Sequence, residues 1–259
     1  MQTLIYHRSD EEDSVAEEGE EVIQLHGCIL AWFIFNRNLL YNVYMPKSIN
    51  IHILSSSARI RPYAEQLRSI AESTVISVKE LLPIKDVDIV IYDNPTSAID
   101  EVGGIGGFTP NAHVIFISLN PQYRDFKKAI NDELPFTLAH ELHHTIRWQK
   151  QVEGDTLLEA LVFEGLAEHF AKEVTGRTNP SPWARALTRE QKDTYSLKAK
   201  ETWSKPTYDN ALWFFGSNPE LVPRWAGYTI GYDLVEEYLQ ANPDKKASTL
   251  ATMDASVFI

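Results

Sequence analysis

One cysteine, Cys28, is all that 259 residues contain. An intrachain disulfide is therefore excluded, and so is a zinc site built on several thiolates. A reducing compartment, the cytoplasm, is the expected setting. Long hydrophobic runs are missing as well. The one strongly apolar stretch, residues 27–35 (GCILAWFIF), is too short to cross a bilayer, and Asn36, Arg37 and Asn38 break its continuation. Acidic rather than basic residues precede it, which is not the flank of a signal peptide. It reads as a buried strand or helix, and no membrane span is expected. No basic patch stands out, so nucleic acid is not an expected partner. Glycines cluster at Gly103-Gly104-Ile105-Gly106-Gly107, but no strand–turn–helix surrounds them as a dinucleotide fingerprint requires. They read as a flexible loop.

Negative charge is abundant but local. The formal net charge is −12. Asp10, Glu11, Glu12, Asp13, Glu17, Glu18, Glu20 and Glu21 lie in one stretch without a basic residue, and setting those eight aside leaves −4. Such a segment gains little by folding. Residues 1–45 therefore read as an acidic, partly apolar and partly disordered extension, and residues 46–259 as the folded domain. Within it, residues 49–54 (INIHIL), 87–92 (VDIVIY) and 113–119 (HVIFISL) have strand patterns. Residues 58–82 have helical spacing up to Pro83, and residues 229–239 look helical.

The densest chemistry lies at His140-Glu141-Leu142-His143-His144, an H-E-x-x-H pattern. Residues four apart share a helix face, so His140 and His144 can grip one metal ion while Glu141, one step round, reaches a nearby water. The pattern arises by chance in roughly one chain in fifty of this composition, so its context must be checked. Leu134, Leu138, Leu142 and Ile146 recur every fourth residue, Asn131 or Asp132 can cap, and Pro135 falls in a first turn that tolerates it. This predicts a helix buried on one side, with the metal ligands on the other. Nineteen residues separate His144 from Glu164. Glu164 sits on a second predicted helix opened by a Thr156-x-x-Glu159 capping box and stopped at Gly176. Glu164 and Glu168 share one face of it. Gly165 would let the two helices approach closely. Glu164 reads as the third ligand and Glu168 as the acceptor that orients a ligand imidazole. His143 and His169 are not read as ligands.

Residues 138–144 (LAHELHH) and 164–170 (EGLAEHF) resemble the gluzincin metallopeptidases and, more narrowly, the YjaZ-like zinc proteases, a family whose domain is of unknown function. Residues 227–232 (GYTIGY) resemble that family's C-terminal motif. The resemblance covers roughly residues 85–240. It implies an α+β, zincin-like fold: a small N-terminal mixed sheet with helices, an active-site helix and a mostly helical C-terminal lobe. It also implies one Zn²⁺ per chain and a peptide or protein substrate, and leaves oligomeric state open. In zincin-like folds the strand before the metal helix edges the cleft, which here would be residues 113–119, with residues 103–108 as its approach.

The expected chemistry is metal-assisted amide hydrolysis, with His140, His144 and Glu164 holding zinc and Glu141 as general base. Tyr228 is the candidate donor to the oxyanion, since the motif that carries it recurs in the family. The other reading of Gly227-x-x-x-Gly231 is close helix packing with Tyr228 half-buried. Three alternatives stay open: a zinc amidase acting on a non-peptide substrate, a zinc-stabilised binding module without catalysis, and an interaction protein whose motif is fortuitous and binds no metal.

A chain lacking residues 1–44 is expected to fold and to keep its metal. Thermal melting and zinc content check this, and aggregation or a large fall in melting temperature would make the extension part of the fold.

Overall fold

The computed structural model describes residues 48–150 and 156–259. The acidic run, the apolar stretch at 27–35 and the domain boundary at residue 45 lie outside the described residues. Strand β1 (Ile49–Ile53), helix α1 (Ala64–Leu81) and strand β2 (Val87–Asp93) form a parallel pair with a helical crossover. Alternation drives it: Val87, Ile89 and Ile91 are buried while Asp88 between them is exposed. The helix begins later than the apolar spacing suggested. Pro62 sits in a 3-10 turn at Arg61–Tyr63, and α1 follows it.

Strands β3 (Ile105–Asn111) and β4 (Val114–Leu119) form a hairpin, and β4 joins β2 in parallel. The sheet is mixed, in the order β1-β2-β4-β3. Two expectations change here. The glycine cluster is not all loop: Gly103 and Gly104 make the left-handed turn, with φ of 73° and 75°, but Gly106 and Gly107 lie inside β3. The strand at 113–119 is interior, and among the described residues β3 is the edge. Pro110, which has no N–H to give a neighbour, is compatible with an edge position.

Helix α2 (Phe126–Asp132) runs into α3 (Leu134–Gln149). Asn131 and Asp132 end α2 rather than cap α3. Glu133 takes the N-cap position without a side-chain bond, and Pro135 sits in the first turn as expected. Helix α3 is not one-sided either. Every residue from Leu138 to Arg147 is buried, because the sheet lies against one face and α4 covers the other. Helix α4 (Leu157–Thr175) has the predicted capping box at both ends of its reach: Glu159 N–H donates to Thr156 Oγ1, and Thr156 N–H donates to Glu159 Oε2. Gly176, with φ of 70°, stops it.

The C-terminal part is helical: α5 (Arg189–Lys200), α6 (Ala226–Ala241) and the short α7 (Ala247–Leu250). The architecture is α+β. One core lies between the sheet and α1, α3 and α4, and a second gathers Leu161, Trp213, Phe214 and Ile230. Arg147, fully buried at the end of α3, donates to the carbonyls of Ala251 and Met253 and so ties the C-terminal segment to that helix. Among the described residues no helix is long and apolar enough to cross a membrane.

Gly165 does permit a close helix approach, but against α6 rather than α3. A Cβ there would lie 2.6 Å from the backbone carbon of Gly231, and one at Gly231 would lie 2.9 Å from that of Leu161. Both clashes are with backbone, so no side chain can swing aside. Overpacking of this kind costs up to about 3 kcal/mol, more than the roughly 1 kcal/mol that alanine gains over glycine in a helix. Gly165→Ala should therefore lower the urea midpoint and melting temperature, and a variant as stable as the parent would contradict this packing.

Candidate metal centre

His140 and His144 stand one turn apart on α3, and Glu164 faces them from α4. Glu164 Oε2 is 3.1 Å from His140 Nε2 and 3.6 Å from His144 Nε2. Ligand atoms on a tetrahedral zinc, with bonds of about 2.0–2.1 Å, lie roughly 3.3 Å apart. The observed separations bracket that edge. His140, Glu141 and His144 also bring ligand atoms within 4.8 Å of one another. Two carboxylates are thus near both imidazoles, and Glu164 Oε2 lies within 3.6 Å of each Nε2.

Each group is held by a neighbour. The ring of His144 stacks on Phe163 of α4, 4.2 Å between centroids and 5° from parallel. His140 meets His144 edge to face at 4.7 Å. On its far side, His140 Nδ1 is 3.6 Å from Glu168 Oε2, an ion-pair distance slightly long for a hydrogen bond. These two atoms are buried and have no hydrogen-bond partner among the described residues. Glu168 Oε1 accepts the N–H of Ser181 at 2.6 Å, which anchors the carboxylate. Glu164 and Glu168 thus lie against opposite nitrogens of one imidazole, as their shared helix face predicts.

The electrostatics suit a cation. Burial opposes a proton on His140, yet the carboxylates of Glu164 and Glu168 overcome it and push the imidazole up to about 10. Burial likewise opposes charge on Glu164, and the two imidazoles overcome it and hold its carboxyl far below the usual range. Glu168 is also shifted down: burial raises it, and His140 and the Ser181 N–H more than reverse this. A divalent ion can take the place of that proton between Glu164 and the imidazoles. Inward-facing Nε2 atoms and a carboxylate form the nitrogen–oxygen donor set that zinc accepts.

His143 and His169 are placed apart from this point. His143 is fully buried against Phe170, and His169 stacks on Tyr232 with Nε2 3.1 Å from the Tyr232 carbonyl oxygen. Tyr228, on α6, lines the same cleft as His140, Glu141, His144 and Glu164. Its ring packs on Phe214 at 5.0 Å and Trp183 at 6.2 Å. Burial, then the charges of Glu164 and Glu141, push its hydroxyl well above the usual tyrosine range, so it remains a donor. The close packing read in the 227–231 motif is present, and Tyr228 lines the cleft. Gly227 faces the Phe214 ring and Gly231 faces α4, while Tyr228 between them turns to the cleft.

Two residues that meet Glu141 were not read as part of the site: Thr109 had no reading, and Gly107 was read as loop. Thr109 of β3 donates to Glu141 Oε2 at 2.6 Å, and a Cβ on Gly107 would lie 2.6 Å from Glu141 Cγ. The signal was available as an alternation, since positions 107 and 109 share one face of a strand, but a loop assignment hid it. The cleft as a whole measures about 1250 Å³ and is lined by Phe108, Phe163, Trp183, Phe214 and Trp225 besides the polar cluster.

Comparison with known proteins agrees with the motif. The family described as "Predicted Zn-dependent protease (DUF2268)" matches residues 67–259. The chain is 33% identical over 118 residues to the uncharacterized protein YjaZ of Bacillus subtilis (strain 168), covering 43% of this chain and 43% of that protein. It is 26% identical over 149 residues to the uncharacterized protein YjfC of the same organism, covering 53% of this chain and 46% of that protein. The chain thus spans less than half the length of these relatives. No solved structure gives a significant match.

Purified protein should bind about one zinc per chain. His140→Ala and His144→Ala should remove most of it. Glu168→Ala should weaken binding roughly 10–100-fold, and Glu164→Ala by more. Competition with a chromophoric chelator measures all four, and unchanged affinity in Glu164→Ala would move the third ligand elsewhere.

Proposed function

The chain belongs to the family of predicted Zn-dependent proteases, and from that premise we propose that it is a zinc peptidase of zincin-like fold. His140, His144 and Glu164 hold the ion, Glu141 is the general base, Tyr228 donates to the oxyanion, and Glu168 orients His140. The observation that carries this reading is the convergence of His140 Nε2 and His144 Nε2 on one oxygen of Glu164, with the Glu141 carboxylate beside them.

A bound zinc would polarise the scissile carbonyl and bring the pKa of the attacking water down to about 7. Glu141, one residue round α3 from His140, takes the proton of that water and passes it to the leaving amine. Tyr228 keeps its own proton and offers it as a hydrogen bond to the developing oxyanion. Glu168, anchored by Ser181, keeps His140 turned with Nε2 inward.

Cleft size favours a peptide over a small amide. Small-molecule sites usually occupy about 300–1,000 Å³, and this cleft exceeds them at about 1250 Å³. The edge strand β3 borders it, and an extended peptide can add to an edge through backbone hydrogen bonds. Phe108, on that strand and 62% exposed, offers an apolar side chain at the mouth.

Glu141→Gln keeps shape and polarity but cannot take the proton. It should bind zinc like the parent and lose about 10²-fold or more of its hydrolysis of unfolded casein. Tyr228→Phe should keep zinc and lose roughly 10-fold to 10²-fold. A zinc-loaded Glu141→Gln protein as active as the parent would defeat the peptidase reading.

A further inference from the structure

The base of this site has a seat, and the seat belongs to the edge strand. Glu141 is buried, and its carboxylate leaves α3 towards β3. Thr109 Oγ1 lies 2.6 Å from Glu141 Oε2 and 3.1 Å from the Glu141 carbonyl oxygen. A hydroxyl has one proton to donate. The shorter contact is with the carboxylate oxygen, and hydrogen bonds to ionised acceptors are the stronger kind. Thr109 is itself 7% exposed, so water does not compete freely for that proton. Its Cβ is branched, which limits χ1 and fixes the direction of the hydroxyl.

A second observation points to the same place. Two residues earlier on the same strand face, Gly107 leaves a gap that the Glu141 side chain fills. A Cβ there would lie 2.6 Å from Glu141 Cγ and 2.7 Å from Cδ. Any larger residue at 107 would push the carboxylate out of its position rather than disturb the backbone. One residue of β3 thus grips one oxygen of Glu141 and another makes room for the side chain.

We propose that Thr109 is a positioning residue that fixes the Glu141 carboxylate on β3, with Gly107 as the space that allows it. This rests on the reading of Glu141 as the general base. Thr109 occupies Oε2 as an acceptor and leaves Oε1 to take the proton of the attacking water. When Oε1 takes that proton, Oε2 remains an acceptor, so the Thr109 hydroxyl keeps donating to it. The contribution is orientation: a misplacement of about 1 Å at a reacting group can cost roughly 10²-fold.

The test compares full-length Thr109→Val, Thr109→Ser and Gly107→Ala with the parent. Thr109→Val keeps the shape and loses the hydroxyl. On a peptide substrate it should lose roughly 10-fold to 10²-fold in kcat, with KM and zinc content unchanged. Thr109→Ser should recover most of that loss, which a purely structural role of the threonine methyl would not predict. Gly107→Ala should lose kcat in the same way by displacing the carboxylate. Crystal structures of the metal-free parent and Thr109→Val supply a readout that needs no activity. Glu141 should sit on Thr109 in the parent and turn away in the variant. If the parent hydrolyses peptides, a Thr109→Val protein with parental kcat overturns the proposal while leaving the peptidase reading intact. If the parent hydrolyses none, the peptidase reading fails, and an identical Glu141 pose in both crystals overturns the seat independently.

Discussion

Buried charge is the constraint on which the rest of this structure depends. Helices α3 and α4 bring two imidazoles and three carboxylates together beside a cleft walled largely by Phe, Trp and Tyr. A lone ionised group in such a place costs several kcal/mol. The cost is contained only because the groups face one another: Glu164 between both Nε2 atoms, Glu168 behind His140, Glu141 against Thr109. The two helices must therefore hold their register closely. A slide of one residue would turn Glu164 and Glu168 about 100° away from the imidazoles and leave carboxylates and ring nitrogens without partners.

That register is fixed from behind. Helix α4 cannot slide along α6 because Gly165 and Gly231 interlock at backbone distance, and Val235 fills the remaining space. At its N-terminus the Thr156–Glu159 box fixes where α4 begins. Helix α3 is fixed at its C-terminal end by Arg147, whose guanidinium reaches the carbonyls of Ala251 and Met253. Residues remote from the cleft thus decide where Glu164 stands. The glycines that a motif search takes for part of the site are part of its scaffold, and only Tyr228 between them faces the cleft.

Much of this was legible in the sequence because it is local. Four-residue spacing put His140 with His144 and Glu164 with Glu168, and capping chemistry marked the start of α4. What was not legible depends on who the neighbours are. The pattern Leu134, Leu138, Leu142, Ile146 predicts one buried face, and nothing in it tells that α4 will cover the other. The strand at 113–119 has the stronger hydrophobic alternation, and for that reason it lies inside the sheet with both edges paired. The real edge, β3, has two glycines and a proline in seven residues, so its propensity is low. It is a strand because β4 pairs with it, and Pro110 is tolerated where the register shifts between Phe108 and Asn111, with no other strand paired to β3 among the described residues.

The weak propensity of β3 follows from what the strand has to accommodate. Gly107 must leave room for the Glu141 side chain, and Thr109 must direct a hydroxyl at it, so the inward face of the strand has little capacity left for apolar packing. The outward side carries Phe108, exposed at the cleft mouth. On the proposed peptidase reading, a strand that seats Glu141 on one face and borders the cleft ties the position of a peptide added at its edge to that of the carboxylate. The distance between them is then set by the pleat of one strand rather than by the packing of two lobes. A residue that raised strand propensity at 107 would displace the Glu141 carboxylate, so local stability and the placement of that side chain are opposed at this position.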